Sequence, residues 1–120
     1  MFVSGAASAP GIINKESTFM NYLFTSYPKE GFGFIYKYTS PSGKSYIGQT
    51  INSLSQRSKN GCHYKNSTYF YNAIQKYGFE NFKWEIFGEF PIEELSQKEI
   101  EFIKEYNTVV PFGYNIRTEE

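Results

Sequence analysis

The sequence predicts a small α/β domain whose elements run β-β-α-α-β-α, a sheet with helices packed on it. Two β-rich runs flank the turn cluster Ser40-Pro41-Ser42-Gly43, and a later run alternates apolar with charged residues. Between and after them, apolar residues recur at helical spacing. With 120 residues, the chain has room for one domain with a modest core. Aromatics make up 20% of it, 12 Phe and 11 Tyr among them, which is the composition of a folded domain and not of a disordered tail.

Residues 1–31 read as a lead-in. A Ser/Ala/Gly/Pro stretch precedes Phe19, Tyr22 and Leu23 at helical spacing, with Ser17 and Thr18 as caps. This is either a short docking helix or an arm, and the domain proper spans 32–120. Phe34 to Thr39 and Ser45 to Thr50 form an antiparallel hairpin across the turn. Ser53 caps a short helix carrying Leu54 and Arg57. Phe70, Ala73, Ile74 and Tyr77 follow the i, i+3, i+4, i+7 pattern of a second helix, which Gly78 stops. Phe82, Trp84 and Ile86 alternate with Lys83 and Glu85, the period of a half-buried strand. A third helix, Ile92 to Tyr106, follows Pro91.

Several classes of chemistry are excluded by composition. Every acidic side chain is Glu; the chain holds one His (His63) and one Cys (Cys62). A lone Cys forms no internal disulfide, and with a single His it cannot furnish a zinc site. Clustered-aspartate two-metal nucleases are disfavoured for the same reason, so a metal here must lean on Glu and water. No apolar run is long enough to span a membrane. The segment before Lys15 lacks the charged and apolar regions of a secretory signal. The expected setting is intracellular (cytoplasm, nucleoid or nucleus), not secreted.

Equal numbers of basic and acidic side chains, 12 each, conceal an asymmetry. Phe32 to Lys83 nets about +6, and Trp84 to Glu120 about −6. A basic middle suits a phosphate-facing surface, although scattered solvated charge explains it equally well.

Three features carry candidate chemistry. On the third helix Ile92, Leu95, Phe102, Ile103 and Tyr106 form one apolar arc with Glu99 near its centre. A carboxylate facing a core costs several kcal/mol, by rough estimate, unless something compensates it. Its partner is either a salt-bridging Arg57 or Lys, or a metal. Arg57, three residues after Leu54, leans toward the same side and can fork onto a phosphate. Tyr36 and Tyr46 stand an even number of residues apart across the hairpin, so both reach one face. Gly48 shares that face, leaving a gap where a bulky group can approach the backbone.

In order, Phe34-Ile35-Tyr36, Tyr46-Ile47-Gly48, Arg57, Glu99 and Gly113-Tyr114-Asn115 resemble the GIY-YIG nuclease domain. Ala73-Ile74-Gln75-Lys76-Tyr77-Gly78, Asn81-Phe82 and Ile103-Lys104-Glu105-Tyr106-Asn107 fit it too, and the resemblance runs from about Gly33 to Ile116. It implies a central three-stranded antiparallel sheet flanked by helices and metal-dependent hydrolysis of DNA, with one Mg²⁺ (or Mn²⁺) held by Glu99. It further implies that Tyr36 and Tyr46 are the motif tyrosines, Gly48 the motif glycine, Arg57 the catalytic arginine and Asn115 the late asparagine. Two departures stand out. The first motif's glycine is displaced to Gly33, with Phe34 in its usual place. Five residues separate Arg57 from His63, where several members place a histidine soon after the arginine.

These readings give an expected division of labour. Glu99 holds the ion, and Arg57 stabilises charge on the phosphoryl oxygens. Tyr36 serves as general base if nearby positive charge lowers its pKa, with His63 the competing base and Tyr46 positioning water or phosphate. Lys37, Lys44, Lys59, Lys65 and Lys76 are candidates for the DNA track. Four residues follow Ile116, so site choice is expected to need a separate DNA-binding region, a partner or a dimer. A homing or mobile-element role is preferred. The competing reading is a nucleic-acid-binding module of the same fold without catalysis.

Overall fold

The computed structural model of the chain describes residues 3–4 and 22–116. The caps Ser17 and Thr18 and the apolar Phe19 of the expected lead-in helix lie outside the described residues. Four strands, β1 (Val3–Ser4), β2 (Phe32–Thr39), β3 (Ser45–Thr50) and β4 (Lys83–Pro91), form one antiparallel sheet in the order β1-β4-β2-β3. The three long strands are those expected from the sequence. The two-residue β1 is added on the outer side of β4. Gly43 closes the hairpin turn at φ +94°, donating its N–H to the Ser40 carbonyl at 2.9 Å. A residue with a Cβ adopts that backbone only with strain.

Among the described residues, the three α-helices expected after the hairpin follow in order. Helix α1 (Leu54–Ser58) starts at Ser53, whose hydroxyl accepts from the Gln56 N–H at 3.0 Å. A 3₁₀ segment, Lys59–Tyr64, leads to α2 (Thr68–Tyr77), which ends where Gly78 turns to φ +85°. Helix α3 (Leu95–Tyr106) ends at Asn107, a left-handed residue whose N–H returns to the last turn.

Strand parity sorts the core into two layers. Tyr36 and Tyr38 face α1 and α2, packing with Leu54, Tyr64, Phe70 and Ile74. Ile35 and Ile47 face α3, against Leu95 and Ile103. Full burial of each such side chain stabilises the fold by about 1.5–3 kcal/mol. A bulge lies where the β2–β4 register passes from Ile35↔Gly88 to Tyr36↔Ile86. The extra residue lets both Phe87 and Phe90 reach α3, where Phe87 stacks on Phe102 with centroids 4.4 Å apart. Strict alternation would have sent the two rings to opposite faces.

Ile92 departs from the apolar arc assigned to the third helix and is 46% exposed. Residues Ile92–Glu94 form a 3₁₀ turn, so the 100° step that aligned Ile92 with Leu95 and Glu99 does not apply there. Residues 22–25 are helical, and Phe24 packs on Trp84 with centroids 5.4 Å apart. The Lys29 N–H donates to Glu89 at 3.2 Å and the Ile92 N–H to the Gly31 carbonyl at 3.0 Å, tying this segment to the sheet. Among the described residues no helix is long and apolar enough to cross a membrane.

Candidate active site

Strand β3 borders the sheet on the side away from β1, so groups from both faces can meet around it. The ladder sets Tyr36 directly opposite Gly48, and the tyrosine ring lies across the glycine. A Cβ on Gly48 would stand 2.6 Å from Tyr36 Cζ. The gap expected at Gly48 therefore exists, and Tyr36 fills it.

Tyr36 is fully buried, with its hydroxyl 2.7 Å from that of Tyr64. Tyr64 continues to Ser58 at 3.3 Å, and Ser58 to Tyr38 at 2.7 Å, making a chain of four buried hydroxyls. Burial pushes the Tyr36 phenol well above its ordinary range, with Tyr64 and Tyr46 adding to the rise and Arg57 opposing it. Tyr46 stacks flat on Phe70 at 4.2 Å. Burial raises its phenol to about 12, while a hydrogen bond with Ser67 pulls the other way. Both phenols therefore remain protonated at neutral pH. The positive charge that was to lower Tyr36 is present in Arg57, and desolvation outweighs it.

Arg57 leaves the last turn of α1 half-buried, its guanidinium carbon 4.5 Å over the Tyr64 ring. His63 lies at the surface, its Nδ1 3.2 Å from the Arg57 carbonyl oxygen. A carbonyl only accepts, so this contact is a hydrogen bond when Nδ1 carries a proton.

Glu99 is only 7% exposed, as its place on the apolar arc of α3 predicts. Gln49, on the same sheet face as Ile47, donates its side-chain amide to Glu99 Oε1 at 2.6 Å. This charge-assisted bond helps offset the burial of the carboxylate and fixes one oxygen.

Asn115 clamps the rim. Its Oδ1 accepts from the Ile47 N–H at 2.9 Å and from the Thr108 hydroxyl at 2.7 Å, and its Nδ2 donates to the Ile47 carbonyl at 2.9 Å. The side chain thus pairs with the outer side of β3 as another strand would. Next to it, the Tyr114 N–H donates to the Ser45 carbonyl at 2.8 Å.

Tyr36, Tyr46, Gly48, Arg57, Glu99 and Asn115 thus line one largely polar pocket of about 360 Å³. Gln49, Asn66, Ser67, Tyr114 and Ile116 complete its walls. A larger hollow of about 400 Å³, between residues 22–27 and β4, is lined by none of the sequence-predicted site residues. The remaining candidates do not line this pocket. His63, Lys59 and Lys65 are exposed on the segment between α1 and α2. Lys44 and Lys76 line a neighbouring groove. Lys37 lies on the α3 face, paired with Glu85 at 3.5 Å and 4.4 Å over the Tyr106 ring. Sequence reasoning missed Tyr64, Gln49 and Ser67. Strand parity with Ile47 could have found Gln49; nothing in the spacing marks Tyr64.

Among the described residues no group of three or more His, Cys, Asp and Glu comes together. The donor set of the pocket is one oriented carboxylate beside hydroxyls and amides, which fits a hard ion that keeps most of its water shell. It does not fit a soft-metal cage.

A sheet clasped by helices thus carries a cationic side chain, Arg57, and a carboxylate, Glu99, on one polar pocket at its border. The GIY-YIG catalytic domain matches residues 32–115, and the chain belongs to the GIY-YIG family, whose fold is a nuclease fold. No curated protein and no solved structure matches the chain.

Proposed function

We propose that the protein is an endonuclease that hydrolyses DNA phosphodiester bonds in the β3-edge pocket with one divalent cation, Mg²⁺ or Mn²⁺. The observation behind this reading is that Arg57 from α1 and Glu99 from α3 line the same pocket although their helices pack on opposite faces of the sheet. A binding surface has little use for a nearly buried carboxylate beside a phosphate.

Glu99 would hold the ion, oriented by Gln49. Bound there, a hard divalent ion supplies charge for a phosphate oxygen and a more acidic water. Arg57 forks onto the non-bridging oxygens and stabilises the charge that grows on them. Tyr36 and Tyr46, kept protonated by burial, line the pocket as hydrogen-bond donors that orient water and phosphate. His63 is exposed and outside the pocket walls. Lys59 and Lys65 supply exposed charge for the flanking backbone phosphates. With a net charge of zero, binding is weak and strongly salt-dependent, and site choice comes from a further DNA-binding region, a partner or a dimer.

The test is supercoiled plasmid at low salt with Mg²⁺, with Mn²⁺ or with EDTA. Nicked and linear products with either ion, absent in EDTA and absent with folded Arg57→Ala and Glu99→Gln variants, support the reading. A parent protein that binds DNA and cuts neither plasmid nor branched substrates is a binding module of the same fold.

A further inference from the structure

A second groove, of about 280 Å³, adjoins the catalytic pocket, and Tyr114 is a wall of both. Lys44 enters it from the hairpin, and Tyr69 and Lys76 enter from α2. Tyr69 and Lys76 are seven residues apart, about two helical turns, and so share one face. The core side of that helix is taken by Phe70, Ala73 and Ile74. Tyr69 is 49% exposed, an aromatic held out of the core beside two cations. Neither lysine forms an ion pair with a described residue, and no acidic residue lines the groove.

Two ammonium groups beside an accessible ring match the two parts of a nucleotide, phosphate and base. The groove is far too small for a duplex and has room for one planar group. Inside a duplex both faces of a base are covered by its neighbours, so a base can meet Tyr69 only after leaving the stack. We infer that this groove is a subsite for one unstacked nucleotide of the substrate, its phosphate on Lys44 and Lys76 and its base against Tyr69. The protein then favours DNA carrying a single-stranded arm next to the cleaved bond. The inference deepens the nuclease reading and rests on it.

The experiment uses the full chain in EDTA, so that binding is read without cleavage. Fluorescence anisotropy follows three labelled DNAs: a blunt duplex, the same duplex with a short single-stranded arm, and the armed duplex with abasic sites in the arm. Tyr69→Ala is expected to weaken binding of the armed duplex about tenfold, within the range of one base–aromatic stack, and to leave the blunt duplex unchanged. Tyr69→Phe keeps the ring and the affinity. The abasic arm binds the parent protein about as weakly as the intact arm binds Tyr69→Ala. Replacing both Lys44 and Lys76 with alanine reduces the salt slope on the armed duplex by about 0.7, the share of one single-strand phosphate. Equal effects of Tyr69→Ala on blunt and armed DNA, or no effect on either, overturn the subsite. If that result comes with intact ion-dependent plasmid cleavage, the nuclease reading survives alone. A parent protein that neither binds nor cuts DNA removes both.

Discussion

Replacing Gly48 with alanine is expected to damage the site through Tyr36. The backbone at Gly48 is not in the left-handed region, so the cost is steric. The new Cβ would lie 2.6 Å from Tyr36 Cζ and 3.1 Å from Cε1, where carbon atoms prefer about 3.5–4.0 Å. Tyr36 cannot yield easily, because it is fully buried, edge-packed on Tyr38 at 5.7 Å and bonded to Tyr64. Overpacking of this kind costs about 1–3 kcal/mol, and losing the Tyr36–Tyr64 bond adds about 1 kcal/mol. Gly48→Ala should therefore destabilise the fold by about 2–4 kcal/mol. Urea unfolding followed by the fluorescence of Trp84, the single tryptophan, measures the loss. Tyr36→Phe removes the hydroxyl oxygen that the new methyl group approaches most closely. In that background Gly48→Ala should cost about 1 kcal/mol less, a coupling that a double-mutant cycle resolves. A cost near zero, or the same cost in both backgrounds, would refute the contact between these residues.

Asn115→Ala strands the N–H and carbonyl of Ile47 and the Thr108 hydroxyl, and should cost about 3 kcal/mol in the same urea assay; a loss below about 1 kcal/mol contradicts the clamp. Raised tyrosine pKa values mean that the fold favours the protonated phenol, so the tyrosine contribution to stability should be level below pH 10 and fall as pH rises from 10 toward 12, by about 3 kcal/mol for Tyr46 alone. Tyrosinate absorbance recorded beside circular dichroism checks this, and pocket tyrosines that ionise near pH 10 in the folded protein would oppose it. Lys37→Ala should leave DNA affinity and its salt slope unchanged, because its charge is held by Glu85 and the Tyr106 ring, whereas Lys59→Ala should lower the slope by about one in an anisotropy titration.

Much of the architecture was legible because its signals are local. A Ser-Pro-Ser-Gly turn, a Ser53 cap and a Gly78 stop each act within a few residues, and each stands where the sequence put it. Glu99 was legible as a conflict, a carboxylate on an apolar arc, and its burial follows from the helical period. What escaped depends on registers set by distant partners. The 3₁₀ turn at Ile92 breaks the period that aligned it with Leu95, and the β4 bulge moves Phe90 to the α3 face. Contacts such as Tyr36 over Gly48, or Asn115 along β3, join residues many positions apart, and no local pattern encodes them. Lys37 is a different case. The alternation that sets Tyr36 and Tyr46 on one face sends Lys37 to the α3 face, where it pairs with Glu85.

In the proposed nuclease, Arg57 and Glu99 act on one phosphodiester in one pocket. Single-turnover cleavage of a labelled DNA with Mg²⁺, by the parent protein, Arg57→Ala, Glu99→Gln and the double variant, addresses it directly. Each single substitution should slow cleavage at least about a hundredfold, and the double variant should be no slower than the slower single, since groups that serve one transition state are not additive. A single variant that cuts at the parental rate, or losses that multiply in the double variant, would contradict it.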